Sequence, residues 1–141
     1  MGLQKIFVPK HFDIIWASPS YITNLDISNE IVLKILEIIE YLEPKNFVID
    51  NPDKSLLKHQ WFMYGIPYTD IDCCKYGKGY KKKLRLWNNI SNWKSQPLCK
   101  NDCSSIFNNE HREKQPNINF NREELHSIPA TLIYEVLESV V

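Results

Sequence analysis

Two short polar segments, each directly after an apolar run, contain the side chains best suited to chemistry. Ser18-Pro19-Ser20-Tyr21 follows the apolar run 12–17, and Asp50-Asn51-Pro52 follows the apolar run 47–49. A carboxylate such as that of Asp50 can act as a general acid or base on a bound substrate. Asn and Pro are also common turn formers, so the second segment could equally be an ordinary exit from a strand.

A second candidate site is a metal centre in the later part of the chain. Cys99 and Cys103 are separated by three residues, and His111 follows eight residues after Cys103. Thiolate and imidazole are the ligands that zinc prefers, and Cys73 or Cys74 could supply the fourth. The spacing matches no strong zinc signature, so the sequence favours free thiols in a loop, with Cys73 and Cys74 in the core.

A basic run, Lys81-Lys82-Lys83 followed by Arg85, is the third candidate. Such side chains could contact phosphates, and Tyr76 and Tyr80 nearby are compatible with nucleic-acid binding. The alternative is a solvated hairpin, which is the usual role of a charge run. The chain has 17 Lys and Arg against 17 Asp and Glu, a balance that argues against tight nonspecific binding to nucleic acid.

The elements that would position these residues alternate between strands and helices. Continuous apolar runs predict buried parallel strands over 12–17 and 47–49. Three- and four-residue apolar spacing predicts helices over 28–42 and from about residue 129, with Ser28 and Ser127 as N-caps. A helix is also predicted near 55–64, a hairpin of strands 68–75 and 84–88 follows, and 91–121 is predicted to be mostly loop.

This order predicts an α/β protein, built as a single domain over residues 1–141. In such sheets, the carboxyl ends of neighbouring parallel strands bring the following loops together, so the two polar segments should lie side by side. No cleavable signal is seen in the first 20 residues, and no apolar stretch reaches the ~18 residues of a membrane span. We therefore expect an intracellular protein that is neither secreted nor in a membrane, with reduced cysteines.

The order of these segments resembles the DNA cytosine-5 methyltransferases, in particular their small viral and phage members. In that family one strand runs into a Pro-Cys loop and a later strand runs into Glu-Asn-Pro. This chain has Ser18-Pro19-Ser20-Tyr21 and then Asp50-Asn51-Pro52. The resemblance covers about residues 12–140, since later segments of the chain also resemble the family: 74–77, 85–89, 93–99 and 128–132.

The resemblance implies a partial Rossmann-like methyltransferase sheet of about four strands with flanking helices. It also implies S-adenosylmethionine as cofactor and a cytosine flipped out of DNA as substrate. Asp50 takes the position of the family's catalytic glutamate, and Tyr21 that of its cysteine nucleophile. The implied base-binding residues are Ser18, Pro19, Asn51 and Pro52, and the implied DNA-binding residues are Lys81, Lys82, Lys83 and Arg85.

Three departures from the family pattern predict a chain that is catalytically inactive by itself. A phenol such as Tyr21, with a pKa of ~10, is a poor nucleophile at neutral pH, although it could stack on a base or simply pack at the edge of the fold. Asp50 is one methylene shorter than glutamate. No Gly-rich cofactor loop precedes residue 12, so this chain alone is not expected to bind S-adenosylmethionine.

Two alternatives follow from the same departures. The chain could be half of a split methyltransferase that a second chain completes, or a non-catalytic module for binding DNA or protein. The strand over 12–17 would then expose an apolar edge, which invites either a second chain or self-association.

Overall fold

The computed structural model describes residues 6–21, 24–113 and 127–140. Its larger elements, in chain order, are β1 (Ile14–Ala17), α1 (Leu25–Leu42), β2 (Asn46–Pro52), β3 (Tyr68–Asp72), β4 (Lys83–Asn88), β5 (Ile106–Phe107), β6 (Glu110–His111) and α2 (Ala130–Ser139). Three short 3-10 helices cover Leu56–His59, Trp61–Met63 and Cys73–Tyr76. The chain combines a four-stranded sheet with helices, and α1 connects the parallel strands β1 and β2, so the prediction of an α/β fold is confirmed.

Four strands form one mixed sheet in the order β1-β2-β4-β3. β1 and β2 are parallel, with Ile14 opposite Asn46 and Ala17 opposite Ile49. Backbone hydrogen bonds from Cys73 to Lys82 (2.8 Å) and from Asn88 to Pro67 (2.9 Å) show that β3 and β4 form the predicted hairpin. Among the described strands β1 has β2 as its single neighbour, and the predicted partner at that edge stays a prediction.

The helix α1 begins earlier than the apolar spacing predicts. Its N-cap is Asn24, whose side chain accepts a hydrogen bond from the backbone of Ile27 at 3.2 Å. The prediction of Ser28 as N-cap is wrong, because the asparagine cap starts the helix one turn earlier and leaves Ser28 buried inside it. Glu43, in the left-handed region, ends the helix.

Three other predicted elements are corrected. The helix expected near 55–64 is two 3-10 turns, and the strand expected over 68–75 ends at Asp72. Cys73 and Cys74 are buried as predicted, but they lie in the following 3-10 turn. Ser127 does not cap α2, since Pro129 is the N-cap residue and Ser127 accepts a hydrogen bond from Lys78 at 2.9 Å. Residues 114–121 of the predicted loop region lie outside the described residues.

Contacts divide the chain into two compact units, residues 1–69 with 85–91 and residues 70–84 with 92–141. The core of the first unit is a cluster of five buried residues: Val32, Ile49, Leu57, Met63 and Trp87. In the second unit, the buried residues include Ile71, Tyr80, Leu84, Leu132 and Val136. Within the described ranges, no helix is long and apolar enough to cross a bilayer.

Candidate functional site

The two polar segments meet at the carboxyl ends of β1 and β2. Because Ala17 is opposite Ile49 in the parallel pair, the next residues along both strands emerge at the same edge. The side-chain amide of Asn51 donates to the backbone carbonyl of Pro19 at 2.8 Å, which joins the two segments directly. The side-by-side arrangement expected from the sequence is therefore present in the first unit.

Asp50 lies at the centre of this site and is only 5% exposed. Its Oδ2 accepts hydrogen bonds from the indole Nε1 of Trp16 at 2.6 Å and from the hydroxyl of Ser18 at 2.5 Å. Hydrogen bonds to a carboxylate are roughly twice as strong as neutral ones, so both donors fix the orientation of this side chain. A carboxylate held in this way can accept a proton or a hydrogen bond at a fixed point.

Asn51, the next residue, is 1% exposed. While its amide nitrogen is bonded to Pro19, its Oδ1 is buried without a hydrogen-bond partner. Such unsatisfied atoms are rare in folded proteins and cost about 1–3 kcal/mol. The Asn51 side chain therefore joins the two segments through its amide nitrogen, while its oxygen carries the cost of burial without a hydrogen bond.

Tyr21 is half-buried and packs against the core cluster of the first unit. Its hydroxyl donates to Oδ1 of Asn29, and the amide nitrogen of Asn29 donates to Gln60 at 3.3 Å. Burial raises the pKa of Tyr21 above its ordinary value of 10.0. The phenolate is therefore even rarer at neutral pH than in a free tyrosine, and the hydroxyl is already engaged as a donor.

Comparison with known proteins supplies a viral relative of the chain. No protein-family profile matches the chain, and no solved structure does. A probable DNA (cytosine-5)-methyltransferase of Frog virus 3 (isolate Goorha) is 32% identical over 109 residues, which covers 61% of this chain and 50% of the relative. The chain resembles the DNA cytosine-5 methyltransferases. It spans about half the length of the viral relative, and the resemblance predicted from the motifs is confirmed.

The basic run lies on β4 and just before it, and its side chains differ in their exposure and their partners. Lys82 is only 4% exposed, and Lys81 uses its ammonium group to donate to the carbonyl of Cys99 at 3.1 Å. Arg85 lies 3.7 Å from the ring centroid of Tyr68 and 3.9 Å from the carboxylate of Asp53. The predicted phosphate contact is thus least compatible with Lys82, whose side chain is buried.

The predicted metal ligands converge in the second unit. One ligand atom from each of Cys74, Cys99, Cys103 and His111 lies within 4.8 Å of the other three. The fourth member is Cys74, whereas Cys73 lies outside the group. Spacing alone could not choose between these two cysteines, because the 3-10 turn that follows β3 decides which of them faces the others.

The thiols of this group differ in their environment. Burial, together with hydrogen bonds to Cys99 and Cys103, raises the pKa of the Cys74 thiol well above its ordinary range. Burial would also raise the pKa of Cys99, but the backbone N–H of Asp102 and the ring of His111 outweigh it and lower this pKa to about 6. Donors placed around the Cys99 sulfur therefore stabilise its thiolate.

Proposed function

We propose that the chain is a methyltransferase-like DNA-binding protein that does not perform the family's cysteine-dependent methyl transfer. The observation that carries the proposal is Tyr21, which the resemblance aligns with the family's cysteine and whose hydroxyl is bonded to Asn29. The sequence has cysteines at 73, 74, 99 and 103, and none of them lies in the segment after β1. The loop that should supply a thiolate supplies a phenol instead.

The chemistry of the family makes this substitution decisive. A thiolate must add to C6 of the cytosine before C5 can attack the methyl group of S-adenosylmethionine. A phenol whose pKa is raised by burial offers very little anion at neutral pH. The Tyr21 ring also packs against the core cluster, and swinging it toward a base would remove that packing.

Asp50 and Asn51 support the proposal that the chain still has a surface for binding a flipped base. The carboxylate of Asp50 is oriented by Trp16 and Ser18, and the side-chain oxygen of Asn51, the next residue, has no hydrogen-bond partner. A flipped base is recognised through hydrogen bonds to its Watson–Crick edge, which needs polar groups held in this manner.

The inactivity is tested with a duplex that contains 5-fluorocytosine at candidate target sites. A cysteine nucleophile is trapped on this base after methyl transfer, because the fluorine cannot leave as a proton would. We expect no adduct that survives denaturing electrophoresis, and no transfer of label from S-adenosylmethionine to an unmodified duplex. An active cytosine-5 methyltransferase is the positive control for both assays.

Tyr21→Phe is the matched variant for this test. It retains the ring that packs on the core and removes the hydroxyl, so it should behave like the unaltered chain in both assays. An adduct with the unaltered chain would overturn the inactivity, and loss of that adduct in Tyr21→Phe would identify the tyrosine as the nucleophile.

DNA binding is tested by fluorescence titration of a labelled duplex at two salt concentrations. Binding that rests on phosphate contacts should weaken steeply as salt rises. Lys83→Gln should weaken it further and reduce the slope of log K against log salt by about 1, because Lys83 is the partly exposed lysine at the start of β4. If the chain binds no DNA even at low salt, the methyltransferase resemblance reflects common ancestry and not a retained DNA-binding function.

Lys45→Gln is the control for the lysine variant. The Lys45 side chain is 82% exposed and precedes β2, at the end of that strand opposite Asp50. Lys45 lies outside the basic run 81–83, so its replacement should change neither the affinity nor the salt slope. Equal effects of both variants would indicate nonspecific attraction to the duplex.

A further inference from the structure

We propose that Cys74, Cys99, Cys103 and His111 bind a single zinc ion, which cross-links the loop-rich segment 92–113 to the turn after β3. The proposal concerns the second unit alone and does not depend on DNA binding or methyl transfer. Three thiols and one imidazole in one place form a complete ligand set for a structural zinc site.

The spacing of the ligand atoms fits one ion. A tetrahedral zinc with Zn–S of about 2.3 Å and Zn–N of about 2.0–2.1 Å separates a sulfur ligand from a nitrogen ligand by about 3.6 Å. The Sγ of Cys99 and the Nε2 of His111 are 3.6 Å apart. The remaining pairs all lie within 4.8 Å, which requires only a small contraction onto the ion.

The chemistry of the ligands selects the metal. Magnesium and calcium take oxygen ligands, and the four ligand atoms here are sulfur and nitrogen. All four cysteines of the chain are free thiols, so no disulfide competes for the three sulfurs. The ligands are also complete, which is typical of a structural rather than a catalytic zinc site.

The backbone around the ligands is held independently of the sulfurs. The N–H of Cys99 donates to the buried carboxylate of Asp72 at 2.8 Å, just before the turn that carries Cys74. On the other side, Asp102 accepts from Lys75 and from the backbone of Lys100, each at 3.1 Å. These bonds tie the 99–103 loop to the Cys74 turn and preorganise the site, as ligand-supporting contacts do in known metal centres.

The charges near the site also suit a thiolate-bound ion. Zinc with three thiolates and a neutral imidazole carries one net negative charge. Lys75 is adjacent to Cys74 and paired with Asp102, and Lys81 donates to the carbonyl of Cys99. Lys75 and Asp102 balance each other, so Lys81 leaves one positive charge beside a site whose net charge would be one negative.

The segment that the ion would hold buries few of its own residues. Among residues 92–113, all of them described, only Trp93, Cys99 and Ser105 are buried. Its regular structure is the β5–β6 hairpin of two residues on each strand, in which His111 pairs with Ile106. Segments with so small a core usually depend on a metal or a disulfide for their stability.

The test measures zinc directly in tag-free protein purified with a reductant, by elemental mass spectrometry. We expect one zinc per chain, retained through dialysis. Replacing the zinc with cobalt(II) should give an intense sulfur-to-cobalt charge-transfer band and the visible bands of tetrahedral cobalt. Cys103→Ser and His111→Asn should each lower the zinc content to background, since each removes one of four ligands.

Two variants serve as matched controls. Cys73→Ser changes the buried cysteine that lies outside the ligand group, and His59→Asn changes an exposed histidine of the first unit. Both should keep one zinc per chain. Full zinc content in Cys103→Ser and His111→Asn would overturn the assignment of these ligands.

A second measurement uses the unaltered chain, so that the proposal can be tested even if the variants fail to fold. The protein is refolded under reducing conditions with excess zinc or with excess cobalt, then dialysed. Refolded protein that binds no zinc and shows no tetrahedral cobalt spectrum would overturn the proposal, whatever the result with the variants. One equivalent of zinc, released to a chromogenic chelator only after the thiols are blocked with a mercurial, would support it.

Discussion

Replacing Trp87 with alanine should lower the free energy of unfolding by about 3–5 kcal/mol. Trp87 is 2% exposed and lies in β4 within the core cluster, together with Ile49 and Leu57. Its removal takes a large apolar surface out of the core and leaves a cavity that the surrounding strands cannot fully close. Urea denaturation followed by far-ultraviolet circular dichroism measures the change.

The matched control is Trp61→Ala in the same unit. The Trp61 side chain is 75% exposed, so its loss should change the free energy of unfolding by about 0.5 kcal/mol or less. Similar losses for both tryptophans would contradict the burial of Trp87. Because Ile49 of the cluster directly precedes Asp50, a loosened core should also weaken the site at the end of β2.

The parallel pair β1–β2 and the candidate site at its edge follow from the sequence for a physical reason. Continuous apolar runs are typical of strands covered on both faces, and the polar residues that end them must emerge where parallel strands end. What the runs could not reveal is the partner of Asp50. Trp16 belongs to an apolar run, and its role as a hydrogen-bond donor depends on the register with β2.

The local boundaries and the cysteine group were less predictable. Ser28 and Asn24 are both good cap residues, and the packing that buries Ser28 decides between them. Cys74 joins Cys99, Cys103 and His111 from a distant part of the chain. Sequence spacing identifies ligands that share one loop, whereas a ligand delivered by a separate turn becomes evident only in the folded chain.

The burial of Lys82 could not be predicted from the sequence either. In the run 81–83, the charge pattern predicts three equivalent solvated side chains, yet Lys82 is 4% exposed while Lys81 is exposed. A lysine stem is long and apolar, so packing can cover it while its ammonium group keeps polar partners. A run of charged residues therefore predicts the sign of the local surface charge better than it predicts how exposed each side chain is.

Replacing Asp50 with alanine should lower the free energy of unfolding by about 2–3 kcal/mol. The indole nitrogen of Trp16 and the hydroxyl of Ser18 would lose the acceptor to which they now donate at 2.6 and 2.5 Å. Ser18 is exposed and can turn to water, so most of the loss should come from the half-buried Trp16. Urea denaturation measures the loss, and the indole absorbance of Trp16 should shift as its hydrogen bond disappears.

Two further variants separate hydrogen bonding from charge at this position. Asp50→Asn keeps an oxygen that can accept from both donors, so its loss should be smaller, about 1 kcal/mol. Asp13→Ala removes a carboxylate whose side chain is 89% exposed, and it should cost about 0.5 kcal/mol or less. If Asp50→Asn were as damaging as Asp50→Ala, the negative charge rather than the acceptor geometry would hold the two segments together.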